Sequence, residues 1–259
     1  MSRILRWSAF SSSPSLGKEL VVLAHGFLGG RVQLLPIAAS LAQQFDVLNF
    51  GYKSRADTLN GHSLSLVDTV KSRLGRKKQT VHFVTHSFGG VVLHNAFRRG
   101  LLDVLGDDAR KTRCVMIGPP LCGASFARAF QTKNLSGPDM VRNAVHMTAR
   151  TVLGEHSGAQ LMMKEPDWFK KTLGTIPEEV EVLVICGSRG NLNPLIGGES
   201  DGVVGVEETI LNRKHFRLKV AMSHNLLLYT PEVLNSITTF LQGNEVGEVF
   251  DRDVLPTVT

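Results

Sequence analysis

Short apolar runs alternate with segments of helical periodicity along almost the whole chain, and this alternation constrains the fold more than any other feature. The apolar runs predict buried strands at residues 19–24, 46–50, 81–84, 113–117, 180–185 and 216–221. Apolar residues at helical spacing predict helices at residues 33–44, 64–74, 90–102 and 231–241. Because right-handed crossovers place helices against a parallel sheet, we predict a three-layer α/β fold with a mainly parallel sheet and helices on both faces.

One long segment, at about residues 121–177, interrupts this alternation. It is rich in methionines and aromatic residues, namely Met140, Met147, Met162, Met163, Phe126, Phe130, Trp168 and Phe169. Flexible apolar side chains suit a pocket for an alkyl chain; alternatively, they only pack the segment onto the body of the protein. We predict one domain over residues 1–259 with this segment as a helical cap. Its candidate substrate contacts are Met162, Met163, Phe126 and Phe130.

The composition excludes several classes of protein. With 42% hydrophobic and 20% charged residues in 259, the chain is typical of a globular protein. The sequence contains no run of about 18 apolar residues, so we predict no membrane-spanning helix. The three cysteines, Cys114, Cys122 and Cys186, are too few and too scattered for a disulfide framework or a zinc site. We therefore expect no metal, reduced cysteines, and the cytoplasm or another reducing compartment.

The charge and the N-terminus are less informative. The formal charge is +6, but the basic residues are dispersed and no nucleic-acid motif accompanies them, so we expect no nucleic-acid partner. Weak peripheral association with a membrane surface remains an alternative. Residues 1–18 contain Arg3, Arg6 and several serines but no acidic residue, a composition also found in transit peptides. We expect an ordinary N-terminus, with an edge strand at residues 4–10 as a further alternative.

A serine lies between the third predicted strand and the helix that follows it. The local sequence is Thr85-His86-Ser87-Phe88-Gly89-Gly90. A strand–serine–helix connection with small residues two before and two after the serine is the pattern of a nucleophile elbow, which exposes the hydroxyl on a sharp turn. Gly89 fits this pattern, whereas Thr85 is a β-branched residue where a small one is expected. We predict Ser87 as the nucleophile.

A glycine-rich loop follows the first predicted strand, with the sequence His25-Gly26-Phe27-Leu28-Gly29-Gly30. A tetrahedral intermediate requires preorganised N–H donors. The backbone N–H groups of Phe27 and Phe88 are the predicted pair, one from this loop and one from the elbow. We expect His25 to brace the loop rather than to act as a base.

A serine nucleophile also requires a base and a residue that orients the base. Among the nine histidines, His224 follows the last predicted strand, at the carboxyl edge where the sites of parallel sheets collect. Asp201 lies in the turn-rich segment after the preceding strand, with Glu199 as the alternative acid. The chain order Ser87, Asp201, His224 is that of hydrolases with a nucleophile elbow.

These motifs resemble the α/β-hydrolase superfamily, and in particular its bacterial esterase and lipase group. The resemblance covers about residues 20–241 and includes Ile117-Gly118-Pro119-Pro120, Asn193-Pro194-Leu195, Ser200-Asp201-Gly202-Val203-Val204 and Ser223-His224. The α/β-hydrolase fold usually begins with antiparallel strands. The apolar runs that would predict them are missing or reduced in this sequence. The resemblance implies that the serine, aspartate and histidine matching the family's motifs form a triad.

We therefore predict a serine carboxylic-ester hydrolase that acts without a cofactor on a small-molecule or lipid ester. Two alternatives stay open. An acyl-thioesterase or acyltransferase would use the same triad, and a non-catalytic binding protein can have the same fold.

Overall fold

Seven strands form one sheet in the computed structural model, which describes residues 17–75, 78–129, 166–189, 193 and 195–251. In chain order they are β1 Leu20–Ala24, β2 Asp46–Phe50, β3 Val81–His86, β4 Arg113–Ile117, β5 Glu181–Gly187, β6 His215–Val220 and β7 Glu248–Phe250. Across the sheet the order is β2-β1-β3-β4-β5-β6-β7. The pairs from β2 to β6 are parallel, and β7 pairs antiparallel with β6. The alternative edge strand at residues 4–10 and most of the serine-rich N-terminus lie outside the described residues.

The helices of the described residues are α1 Leu35–Leu41, α2 Leu59–Leu74, α3 Phe88–Ala96, α4 Leu102–Leu105, α5 Ser125–Ala129, α6 Pro166–Thr172 and α7 Pro231–Leu241. Helix α2 begins before its predicted start because the Thr58 hydroxyl accepts the Gly61 N–H at 3.1 Å and caps it. The helix predicted at residues 90–102 is interrupted. Its second half widens into a π turn at Phe97–Leu101, where Gly100 has a φ of +97° and ends the regular geometry.

Both faces of the sheet are covered, which gives three layers. In β4, Cys114 and Met116 pack into one core with α2 and α3, and the alternate residues Val115 and Ile117 pack into a second core with α1 and α7. A strand buried on both faces is apolar at every position, and this explains why the predicted strands appear as continuous apolar runs. The predicted fold class, a mainly parallel sheet between two layers of helices, is confirmed.

Strand β7 was not predicted from the sequence. It has three residues and lies at the edge of the sheet, so it presents no apolar run that could be read from the sequence. Its Phe250 ring lies against the Arg217 guanidinium at 5.1 Å and against the His215 ring at 5.1 Å. Side chains on β6 therefore hold a strand that local sequence does not specify.

A buried histidine connects three strand ends on the amino side of the sheet. The ring of His82, in β3, is fully buried, and its Nδ1 accepts the Arg113 N–H at 3.0 Å. Its Nε2 therefore carries the proton and donates to Glu19 Oε2 at 3.0 Å. This bond from His82 lowers the pKa of Glu19. His82 is thus a structural residue far from the carboxyl edge.

Replacing His82 with leucine is expected to lower the free energy of unfolding by about 1–3 kcal/mol, because the buried Arg113 N–H loses its acceptor. Urea denaturation measures this change. Glu19→Gln is the matched control. The Glu19 carboxylate is half-exposed, so its loss is expected to change stability by less than about 1 kcal/mol. Equal effects of the two substitutions would contradict the assignment.

Candidate active site

Three strand ends bring the predicted site residues to the carboxyl edge of the sheet. Ser87 follows β3 directly, and Asp201 lies in the connection between β5 and β6. His224 follows β6 and comes just before the 3₁₀ turn Leu226–Tyr229. The edge is the one where ligands bind in parallel α/β sheets.

Ser87 has a strained backbone. Its φ is +52° and its ψ is −125°, a conformation in which a residue with a side chain costs about 1–3 kcal/mol. Its N–H donates to the carbonyl of Ile117 in β4 at 2.8 Å, and α3 begins at the next residue. Ser87 is therefore held on the sharp strand-to-helix turn that the sequence predicts, with the positive end of α3 beside it.

Two glycines allow the loops around Ser87 to approach each other. A Cβ at Gly89 would lie 2.4 Å from the Ala24 carbonyl oxygen, and one at Gly26 would lie 3.0 Å from the Ser87 Cβ. The end of β1 therefore packs directly against the first turn of α3. Any side chain at either position would separate the glycine-rich loop from the elbow.

Thr85, the residue that departs from the elbow pattern, is buried beside Gly90. Its side chain is buried between β3 and β4, with Oγ1 at 3.5 Å from the Val115 carbonyl oxygen. A Cβ at Gly90 would lie 3.4 Å from Thr85 Oγ1 and 2.8 Å from the Pro119 Cβ. Pro119 therefore excludes a side chain at Gly90, whereas Thr85 lies at an ordinary contact distance from this position.

His224 and Asp201 form a buried pair. His224 Nδ1 donates to Asp201 Oδ2 at 2.6 Å, and both side chains are almost inaccessible to solvent. The other carboxylate oxygen, Oδ1, accepts the N–H groups of Val203 and Val204 at 2.9 and 2.7 Å. The His224 N–H also donates to the Asp201 carbonyl at 2.9 Å. These bonds fix the imidazole so that Nδ1 carries the proton and Nε2 carries none.

The alternative acid, Glu199, lies elsewhere. Its Oε2 accepts a hydrogen bond from Lys219 Nζ at 2.9 Å, and both side chains are about half-exposed. Asp201, rather than Glu199, therefore contacts the imidazole.

His86 connects the elbow to the His224 loop. Its ring lies 4.7 Å from the His224 ring, and its Nε2 donates to the His224 carbonyl at 3.3 Å. Burial holds the pKa of His86 well below the usual value of histidine. A neutral His86 leaves His224 free of a cationic neighbour. Among the described residues, no hydrogen bond joins the Ser87 hydroxyl to His224; in ligand-free sites such bonds are often long.

The backbone N–H groups of Phe27 and Phe88, the predicted oxyanion donors, have no hydrogen-bond acceptor among the described residues. Phe88 is the first residue of α3, where N–H groups have no partner within the helix. The rings of Phe27 and Phe88 meet edge to face, with centroids 6.3 Å apart. Both residues thus belong to the packed contact between the glycine-rich loop and the elbow.

His25 braces the glycine-rich loop. Its Nδ1 donates to the Gly26 carbonyl at 2.8 Å, its Nε2 accepts the Tyr52 N–H at 3.4 Å, and its ring stacks on Tyr52 with centroids 4.4 Å apart. The Tyr52 hydroxyl donates to the His25 carbonyl at 2.8 Å. Burial lowers the pKa of His25. Tyr52 and its neighbours, which follow β2, were not predicted from the sequence, although their position after a strand end was a usable signal.

Of the four predicted cap contacts, the described residues include Phe126 alone. It lies in α5 and is partly buried, whereas Phe130, Met162 and Met163 lie outside the described residues. Helix α5, at the beginning of the segment predicted to be a cap, is bonded to the Asp201 segment by Glu208. Its Oε1 accepts hydrogen bonds from the Ser125 hydroxyl at 2.6 Å and Arg128 at 2.8 Å, and its Oε2 accepts the Gly205 N–H at 2.8 Å.

The described residues contain no cluster of three or more His, Cys, Asp or Glu side chains that could hold a metal ion. None of their helices is long and apolar enough to cross a bilayer. All three cysteines are free thiols, and burial raises the pKa of Cys114 and Cys186.

The sequence matches no protein-family model and no curated protein. Solved structures are similar to it. The mature lipase BlEst2 of Bacillus licheniformis has a TM-score of 0.65 at 13% identity, over 90% of this chain and 95% of that one. Carboxylesterase CesB of Bacillus subtilis has a TM-score of 0.50 at 16% identity, over 90% and 86% of the two chains. The type II thioesterase BorB of the borrelidin biosynthetic cluster has a TM-score of 0.50 at 16% identity, over 92% and 97%.

At such identities the similarity concerns the fold. It agrees with the mainly parallel sheet between two layers of helices. The fold expected from the sequence motifs is confirmed: the chain has the α/β-hydrolase fold.

Proposed function

We propose that the protein is a serine carboxylic-ester hydrolase with Ser87, His224 and Asp201 as its catalytic triad. The observation that carries this proposal is the buried bond of 2.6 Å between His224 Nδ1 and Asp201 Oδ2, at the same sheet edge as a serine with a φ of +52°. A binding protein of this fold would need neither the strained serine nor the buried acid–base pair.

Each residue has a separate role in the proposed reaction. His224 Nε2 takes the Ser87 proton as Oγ attacks the ester carbonyl, and the Phe27 and Phe88 amides donate to the oxygen that becomes negative. His224 then gives the proton to the leaving alcohol, which departs and leaves an acyl-enzyme. Water deprotonated by His224 attacks the acyl carbonyl, and the acid is released as Ser87 regains its proton. Asp201 keeps the proton on Nδ1 throughout.

Ser87→Ala is expected to lower kcat for p-nitrophenyl esters by about 10⁶-fold, the scale of losing a triad serine. The fold should be retained, as checked by circular dichroism. A fluorophosphonate probe should label the wild type and not the variant. Ser65→Ala, which removes an exposed hydroxyl from α2, is the control and should be labelled like the wild type. Near wild-type turnover of Ser87→Ala would refute the assignment.

Asp201→Asn is expected to lower kcat by about 10⁴-fold. Its oxygen would keep the bonds from Val203 and Val204, so its NH₂ group would face His224 Nδ1. The imidazole proton would then move to Nε2, which could no longer accept the Ser87 proton. Glu199→Gln, the control, loses only an exposed ion pair and should keep its kcat. The opposite ranking would make Glu199 the acid.

The substrate class is also part of the proposal. We propose that the segment at about residues 121–177 supplies the wall for an acyl chain, through Phe126, Phe130, Met162 and Met163. A panel of p-nitrophenyl esters and matched thioesters would distinguish an esterase from a thioesterase. Transfer to an added alcohol would indicate an acyltransferase.

The dependence on acyl length tests the cap. Each additional buried methylene should contribute about 0.8 kcal/mol of binding until the pocket is full. Met162→Trp and Met163→Trp should shift the maximum of kcat/KM to shorter chains and leave acetate esters unaffected. If these variants, together with variants at Phe126 and Phe130, keep the wild-type profile, the segment only packs on the body.

A further inference from the structure

The glycine-rich loop holds a strained residue of its own. The Gly29 N–H donates to the Gly26 carbonyl at 3.1 Å, which closes a four-residue turn. Leu28, the third residue of this turn, has a φ of +55°. That position of such a turn normally carries glycine, because a side chain disfavours positive φ. Leu28 and Ser87 are the two non-glycine residues with positive φ among those described, and both lie at the candidate site.

Packing does not hold Leu28 in this conformation. Its side chain is 58% exposed, so no core contact compensates for the backbone strain. Its N–H instead donates to the Ser54 hydroxyl at 3.0 Å. Ser54 is buried, in the segment that follows β2.

Ser54 is itself held in place by its surroundings. Its carbonyl accepts a hydrogen bond from His62 Nε2 at 3.3 Å, and His62 lies in α2. The turn around it is closed by the Ala56 N–H, which donates to the Lys53 carbonyl at 2.8 Å. The hydroxyl is therefore a fixed acceptor rather than a mobile surface group.

We propose that Ser54 is a positioning residue of the oxyanion hole. By accepting the Leu28 N–H, it holds Leu28 at positive φ and so keeps the preceding Phe27 N–H directed at the site. The inference rests on the proposed function, because the Phe27 amide is one of its two oxyanion donors. Tyr52 and His25 hold the beginning of the same loop, and Ser54 holds its turn.

Ser54→Ala tests this role by steady-state hydrolysis of p-nitrophenyl acetate. Loss of a whole oxyanion donor lowers kcat by about 10²–10³-fold, so displacement of one should lower kcat by about 10- to 100-fold. KM should stay near the wild-type value, because the Phe27 N–H stabilises the transition state rather than the bound substrate. If Ser54→Ala is too unstable to assay, Ser54→Cys, whose sulfur is a weak acceptor, is measured in the same way.

Ser63→Ala is the matched control. Ser63 is a buried serine in α2 whose hydroxyl shares its one proton between the carbonyls of Leu59 and Val92, at 2.8 and 3.0 Å, away from the loop. It should lose stability in urea as Ser54→Ala does, but keep its kcat. A merely structural Ser54 would give two variants with the same stability loss and unchanged kcat, and that outcome would overturn the inference.

A double variant tests whether Ser54 acts through Leu28. In the Ser54→Ala background, Leu28→Gly should recover much of the lost kcat, because glycine adopts positive φ without assistance. No recovery would overturn the inference. The proposed function is tested separately by the wild type and Ser87→Ala. An active wild type whose Ser54→Ala variant keeps its kcat would refute only the role of Ser54.

Discussion

The close approach of the end of β1 to the first turn of α3 is the constraint on which the candidate site depends. It brings the Ala24 carbonyl oxygen to 2.4 Å from the position that a Gly89 Cβ would occupy. Because the glycine-rich loop is thereby pressed onto the elbow, the rings of Phe27 and Phe88 come into contact. A single contact between two backbones thus brings together the turn that carries Ser87 and the loop that carries Phe27.

The pair of Asp201 and His224 depends on a second set of close approaches. A Cβ at Gly118 would lie 3.0 Å from the His224 ring and 3.1 Å from the Asp201 carboxylate, and one at Gly187 would lie 2.7 Å from the Asp201 Cβ. The ends of β4 and β5 therefore enclose the pair without side chains. Exclusion of water from this space strengthens the bond between His224 and Asp201.

The loops of the site are also connected to one another. Glu208 joins the Asp201 segment to α5 at the beginning of the cap, and His86 joins the elbow to the His224 loop. Ser54 and Tyr52 join the segment after β2 to the glycine-rich loop. Strain at Ser87 and Leu28 is tolerated because such bonds determine the backbone from several sides.

The sequence by itself determined the parallel sheet, its two layers of helices, and Ser87 and His224 as the candidates for a nucleophile and a base. These features depend on local periodicity and on the order of strand ends along the chain, and both can be read from neighbouring residues. Only the tertiary structure decided that Asp201 rather than Glu199 contacts His224, that Pro119 excludes a side chain at Gly90, and that β7 joins the sheet. It also decided that Ser54 supports the glycine-rich loop. Each of these depends on distances between segments far apart in the chain, which no local pattern encodes.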